Sequence, residues 1–182
     1  MASASSTFKF LSLLAALFAV AEMAISGDPD ILSDFVAPLN LTTVDGAFFT
    51  FTGMRALVGA PPASAFKVSK ASAAEFPALI GQSVSYAVLQ FPAGTTNPPH
   101  THPRSAELLF LVDGSLQGLV HFQYNADSQN SALAFSAFGS ASAGTVSLPT
   151  TLFATSIDDN ILAKAFKTDV ATVQALKAGL KP

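Results

Sequence analysis

Gly94-Thr95-Thr96-Asn97-Pro98-Pro99-His100-Thr101-His102-Pro103-Arg104-Ser105-Ala106-Glu107-Leu108-Leu109-Phe110-Leu111-Val112-Asp113-Gly114 holds two of the three histidines in a chain of 182 residues. His100 and His102 are two residues apart, a spacing that puts both side chains on one face of an extended backbone. Glu107 follows and opens the strand-like run Leu108–Val112. Two imidazoles and a carboxylate aimed at one point suit a borderline first-row transition metal. The third histidine, His121, sits in the next apolar run, Leu119-Val120-His121-Phe122, so every histidine of the chain is available to one site. A bare His-x-His pair also fits a turn beside prolines. The Pro98-Pro99 lead-in, the placed glutamate and the Asp113-Gly114 dipeptide lift this one above that reading. Asp-Gly between strand-like residues is a strong two-residue hairpin signal, so Leu108–Val112 is expected to fold back on the residues after Gly114.

The run from Gly94 to Gly114 matches without a gap the pattern Gly-x5-His-x-His-x4-Glu-x6-Gly, and it closely resembles the first cupin box of the plant germin-like proteins. The resemblance extends to Asp28-Pro29-Asp30, to Leu119–Asn125 and to Ile161–Phe166, and so involves nearly the whole chain. It implies a mainly β fold, a jelly-roll-like cupin β-barrel with C-terminal α-helices. It also implies manganese held by three histidines and one glutamate, which here would be His100, His102, Glu107 and His121. Asn97 aligns with a family asparagine near the metal and would orient the substrate; its plain alternative is a turn residue before Pro98. Arg104 reads as a structural ion-pair partner or subunit contact.

Upstream, residues 1–26 read as a secretory signal. Lys9 gives a weakly positive start, Phe10–Ala21 an apolar stretch, and Ala24 and Ser26 small residues suited to cleavage. Twelve apolar residues are too few for a membrane span, which needs roughly 20. No other stretch qualifies, so an exported chain without a membrane span is expected, secreted to the extracellular space, apoplast or cell wall. Removing Lys9 and Glu22 leaves 8 basic against 11 acidic residues. That mild acidic balance, without basic clusters, argues against nucleic acid as a partner. Residues 27–182 fit a single domain, with the barrel at about 45–155 and helices at about 158–179.

No cysteine is present, so no disulfide can staple an exported fold. Many germin-like proteins carry a cysteine pair near the mature N-terminus; Phe35 and Phe51 stand roughly at those positions, and packing between them is expected in its place. Asn40-Leu41-Thr42 is an N-glycosylation acceptor, and Phe48–Phe51 reads as strand-like. Ser64–Ala74 is too mixed to assign. Val84–Phe91 reads as a strand leading into the box. Downstream, Ser131–Phe138 reads as another strand and 139–144 as a small-residue loop. Asp158 or Asp159 can cap a helix carrying Leu162, Phe166, Val170 and Val173 at helical spacing, with a second start at Thr168-Asp169. In germin-like proteins such helices interlock subunits, so the resemblance implies a homo-oligomer, in the family a hexamer. Sixteen phenylalanines and few charges accord with burial between subunits.

One departure from the family is large. A germin-like chain continues through several strands before a second box, Gly-Asp…Pro-x-Gly-x-x-His. Here Gly114-Ser115-Leu116-Gln117 runs directly into Gly118-Leu119-Val120-His121, and Glu107 and His121 are 14 residues apart. The chain reads as shortened between its two boxes. If Asp113-Gly114 makes a two-residue turn, Glu107 falls opposite Val120 and His121 points away from it. A bulge at Gly118, or a different turn, is then needed to bring His121 round. The function expected is that of an extracellular manganese protein acting on a small anion or superoxide, with superoxide dismutase-like activity ahead of oxalate oxidation. The alternative is a non-catalytic cell-wall or storage-type cupin, a nutrient reservoir, with an impaired metal site.

Overall fold

The computed structural model describes residues 28, 31, 33–116 and 121–180. The signal-like stretch 1–26 and Gly118 lie outside them. In chain order come β1 (Lys67–Ala71), β2 (Ser85–Phe91), β3 (Thr96–Asn97), β4 (His100–Thr101) and β5 (Glu107–Asp113). They are followed by β6 (Gln123–Tyr124), β7 (Ala132–Phe138), β8 (Val146–Ser147) and the helices α1 (Leu148–Phe153), α2 (Asp159–Phe166) and α3 (Val170–Gly179).

The central sheet is antiparallel with order β1-β2-β7-β5, and two small two-stranded sheets pair β3 with β6 and β4 with β8. β2 and β7 form because their residues alternate between a buried apolar face and an outer one. Ala87, Leu89 and Phe91 of β2 meet Ala132 and Ala134 of β7 in the main core, with Phe66, Leu109, Leu116 and Phe138 packed around them. The small residues of β7 let neighbouring strands bring larger side chains over it. The expected strands at 84–91, 108–112 and 131–138 are thus found. β1 lies within the stretch left unassigned, and α1, with Pro149 in its first turn, was not foreseen either.

The Asp113-Gly114 hairpin does not form. β5 pairs with β7, with Glu107 opposite Phe138 and Phe110 opposite Phe135, and the register shifts between Leu111 and Asp113. Gly114 has φ +84°, and a Cβ there would lie 2.7 Å from the Ser131 carbonyl oxygen and 2.8 Å from Ala132 Cα. The glycine is needed because the chain passes tightly over the start of β7, not because it turns back on itself.

Two aromatic expectations are also corrected. Phe48–Phe51 is not a strand: the Asp45 carboxylate accepts hydrogen bonds from the amides of Ala47 and Phe48 and winds the segment into turns. Phe35 packs on Phe48 and Phe49, at centroid separations of 6.3 and 5.2 Å, whereas Phe51 stacks on Phe76 at 5.4 Å. The two positions thought to replace a disulfide therefore belong to separate clusters. The segment at Asp28 is held differently, by its carboxylate accepting from Ser140 Oγ and the Ala141 amide.

The C-terminal expectation is met with a sharper break. Asp158 caps α2 by accepting from the amides of Asn160 and Ile161, and Asp169 caps α3 by accepting from Thr172. Lys167, in the left-handed region at φ 53°, separates the two helices. Leu162, Ala163 and Val173 form a second small core with Phe153 and Val170. No helix among the described residues is long and apolar enough to cross a membrane.

Candidate metal centre

The site is assembled from four places in the chain. His100 is on β4, His102 on the turn after it and Glu107 at the start of β5, while His121 lies just before β6. Prolines on either side of the His-x-His unit restrict the residues before them to extended backbone, which suits the two-residue β4. β8 pairs with β4, with Ser147 opposite His100, and fixes its direction.

One donor atom from each of His100, His102 and Glu107 lies within 4.8 Å of the others. The His100 Nδ1 is 2.8 Å from the Pro98 carbonyl oxygen and the His102 Nδ1 is 2.6 Å from that of Gly144. A carbonyl oxygen only accepts, so each Nδ1 carries the proton and each neutral ring presents its Nε2 lone pair to the site. Ser136 Oγ donates to Glu107 Oε1 at 2.5 Å. The other carboxylate oxygen, Oε2, lies 3.2 Å from His102 Nε2, yet no hydrogen bond is aligned between them: His102 Nε2 is buried without a partner. Adjacent donors on one ion, each at about 2.0–2.2 Å from it, stand roughly 3 Å apart. The spacing and the misalignment are those of two groups facing a shared point. The donor set and the unpartnered nitrogen therefore fit a metal.

His121 stands beside this trio. Its ring centroid is 6.2 Å from that of His100 and 6.1 Å from that of His102, and its Nδ1 is buried with no partner. Its backbone is left-handed, φ 73°, and its carbonyl accepts from the His100 amide at 2.8 Å. With β5 on β7, the pairing that set Glu107 against Val120 does not arise; the His121 ring arrives through its contact with β4. His121 is not among the three whose donor atoms converge within 4.8 Å.

The electrostatics follow from the same contacts. The Glu107 carboxylate beside it holds the His102 imidazole above its ordinary value, against the opposing effect of burial. Burial pushes the Glu107 carboxyl up, but the His102 and Ser136 contacts outweigh it and bring it below the usual carboxylate value. In the metal-free protein the depressed carboxylate contributes stability above the unfolded value near 4.5, lost as pH falls through the folded value. The raised imidazole contributes stability below about 6.5, lost as pH rises through its folded value. Melting temperatures measured in chelator should therefore peak between about pH 4.5 and 6.5, and the alkaline decline should vanish in His102→Ala. A profile still rising above pH 8 would contradict this coupling.

A cavity of about 610 Å³ opens onto the trio and is lined by Lys70, Glu75, Asn97 and Arg104 among others. Asn97 donates its side-chain amide to Gln123 Oε1 at 2.8 Å, across the β3–β6 pair. Arg104 donates to the carbonyl oxygen and hydroxyl of Ser142 and packs over Gly144. It is a structural clamp on the loop that holds His102, without the carboxylate partner expected of it among the described residues. Ser136, Gly144 and Gln123 were not singled out from the sequence. Only Ser136 left a trace there, as the one polar residue in the run Ala132–Phe138.

The Cupin family profile matches residues 62–118 and again 116–174. Germin-like protein 9-3 of Oryza sativa subsp. japonica is 50% identical over 210 aligned positions, which cover 98% of each chain. Putative germin-like protein 9-2 of the same organism is also 50% identical, with 98% of each chain covered. Among solved structures, oxalate oxidase in complex with the substrate analogue glycolate superposes with a TM-score of 0.68 at 25% identity. That superposition covers 84% of this chain and 97% of the other. With the sheet order, the His-His-Glu cluster and these likenesses in agreement, the chain belongs to the cupin family and, within it, to the germin-like proteins.

Proposed function

We propose that this chain is a secreted, manganese-binding germin-like cupin that acts on a small anion in the extracellular space, most simply by superoxide dismutase-like chemistry. The observation that carries it is the convergence of His100, His102 and Glu107, each held by a hydrogen bond that leaves a donor atom facing the cavity. Those three residues would hold the ion, with His121 as the fourth ligand on the support of its buried, unpartnered Nδ1. Manganese, when bound, supplies a one-electron couple and a positive centre. The chain supplies the recruitment. Lys70 and Arg104 line the cavity and neither has a carboxylate within ion-pair reach among the described residues, so each offers a positive charge to an anion, beside Glu75 and Glu107 on the same lining. Asn97, held by Gln123, has a second side-chain N–H left over to orient a bound anion.

Lys70→Glu should lower the on-rate for a small anion about tenfold at low salt, with the difference fading as screening grows. Stopped-flow binding across an ionic-strength series checks this, and a salt-independent difference would contradict it. The function itself is tested by superoxide consumption of the manganese-loaded secreted protein. Turnover above that of the same concentration of free manganese, lost in His100→Ala, supports it. Turnover no faster than the free ion overturns it.

A shortened chain supports the second reading, a non-catalytic cell-wall or storage-type cupin. The alignment with Germin-like protein 9-3 runs over 210 positions although this chain has 182 residues. The family match also breaks at 116–118, directly after β5. We infer that a segment between the two boxes is absent from a single domain spanning residues 27–182. A folded protein that takes up well under one manganese per chain and turns over nothing would favour this reading. Homo-oligomer formation, as a hexamer, is proposed with either reading. It is supported by the exposed outer residues Leu108 and Phe110 of β5, 74% and 67% accessible, and Ile161 and Phe166 of α2. Asn40, exposed in a turn, is proposed as the glycan acceptor.

A further inference from the structure

We propose that Ser136 is the positioning residue that makes Glu107 a single-oxygen ligand, an inference that rests on the metal reading above. β7 reads Ala-Leu-Ala-Phe-Ser-Ala-Phe, with one polar residue among seven, and that residue is completely buried. A buried polar group in an apolar strand requires a partner. The partner is Glu107: Ser136 Oγ donates to Oε1 at 2.5 Å, the short separation of a hydroxyl on a charged carboxylate.

The register explains why this position and no other serves. Glu107 lies opposite Phe138 and Leu109 opposite Ser136, so Ser136 is the diagonal neighbour of Glu107 on the same sheet face. β7 is flanked on both sides, by β2 and by β5, and Ser136 is itself paired with Ala87 and Leu109. The hydroxyl is therefore mounted on an interior strand of the sheet, held from both sides. It has one proton, and directing it to Oε1 leaves Oε2 as the oxygen beside His102 Nε2. A carboxylate so tied presents one oxygen instead of two, which keeps a coordination position open for an anion. The other two ligand side chains are oriented by backbone carbonyls of Pro98 and Gly144. Among the described residues, Ser136 is thus the one side chain that hydrogen-bonds a member of the trio.

The experiment compares wild type, Ser136→Ala and Ser136→Thr as full-length secreted proteins. Manganese affinity is measured by competition with a chelator, and the bound ion is examined by electron paramagnetic resonance. Loss of an outer partner of this kind costs 10–100-fold in affinity. Ser136→Ala should fall by about that factor with an altered spectrum, and Ser136→Thr, which restores a hydroxyl, should recover both. An alanine variant with wild-type affinity and spectrum overturns the role of Ser136 while leaving the metal reading intact. A threonine variant that melts like wild type but recovers neither also overturns it. A wild-type protein that takes up no manganese sinks this inference and the metal reading together.

Discussion

Replacing His102 with alanine is expected to weaken manganese binding by well over a hundredfold, because losing a ligand must exceed the 10–100-fold cost of losing an outer partner. His102 is the best-placed of the three histidines. Its side chain is 5% exposed, its Nδ1 is anchored on Gly144, and its ring packs on Phe138 at a centroid separation of 4.8 Å. Its Nε2 lies 3.2 Å from Glu107 Oε2 and, like His121 Nδ1, is buried without a hydrogen-bond partner. Removing it leaves only His100 and Glu107 of the converging trio, with His121 standing beside them, a weaker donor set for a transition metal. The variant should remain folded, since the buried core residues Ala87, Leu89, Phe91, Ala132 and Ala134 do not include this ring, which meets that core at its margin through Phe138. Retention of manganese by a folded His102→Ala protein would move the centre elsewhere.

The second large effect is on stability. Asn125 is completely buried, and its side-chain amide donates to the carbonyl oxygens of Phe91, Pro92 and Asn130 at 3.1, 3.2 and 2.8 Å. Its Oδ1 accepts from the Asp127 amide. One side chain thus ties the end of β2, the entry to the metal-bearing loop and the turn before β7. Asn125→Ala should cost about 3 kcal/mol, because it strands several buried backbone groups at once. For a domain of this size that lowers the melting temperature by roughly 6–12 °C. Asn125→Asp, which keeps the acceptor but loses both donors, should behave nearly as badly. A melting temperature within about 2 °C of wild type would show that the carbonyls find other partners.

What could be read from the sequence divides along the range of the interactions involved. β2, β5 and β7 were legible because apolar and β-branched residues dominate runs of strand length, and both C-terminal helices announced themselves through Asp158 and Asp169. The trio was legible because His-x-His on extended backbone, followed by a glutamate at the head of a strand, determines its own geometry almost locally. Pairing was not. Asp113-Gly114 carries a true hairpin signal, yet Gly114 serves a close approach to Ser131 and Ala132, seventeen and eighteen residues downstream, and no local pattern encodes that. Phe48–Phe51 shows the converse case, in which aromatic residues favour a strand but the Asp45 side chain captures two amides first. The outer partners were hidden for a different reason. Gly144 acts through its carbonyl oxygen, which any residue possesses, and Gln123 meets Asn97 only because β3 and β6 pair.

The proposed shortening after β5 bears most directly on function. β5 is an edge strand of the central sheet, and Phe110 and Leu108 on its outer face are largely exposed. The inner face keeps Glu107 diagonal to Ser136 and close to His102. The ligand trio is positioned by the pairing of β4 with β8 and of β5 with β7, and His121 is tied to it by the bond from the His100 amide to its carbonyl oxygen.

Elemental analysis of the secreted, size-fractionated protein, beside His100→Ala, tests the central claim most directly. The account predicts about one manganese per chain in wild type, and none in the variant. Wild-type protein that is folded and soluble but free of metal after reconstitution would contradict it.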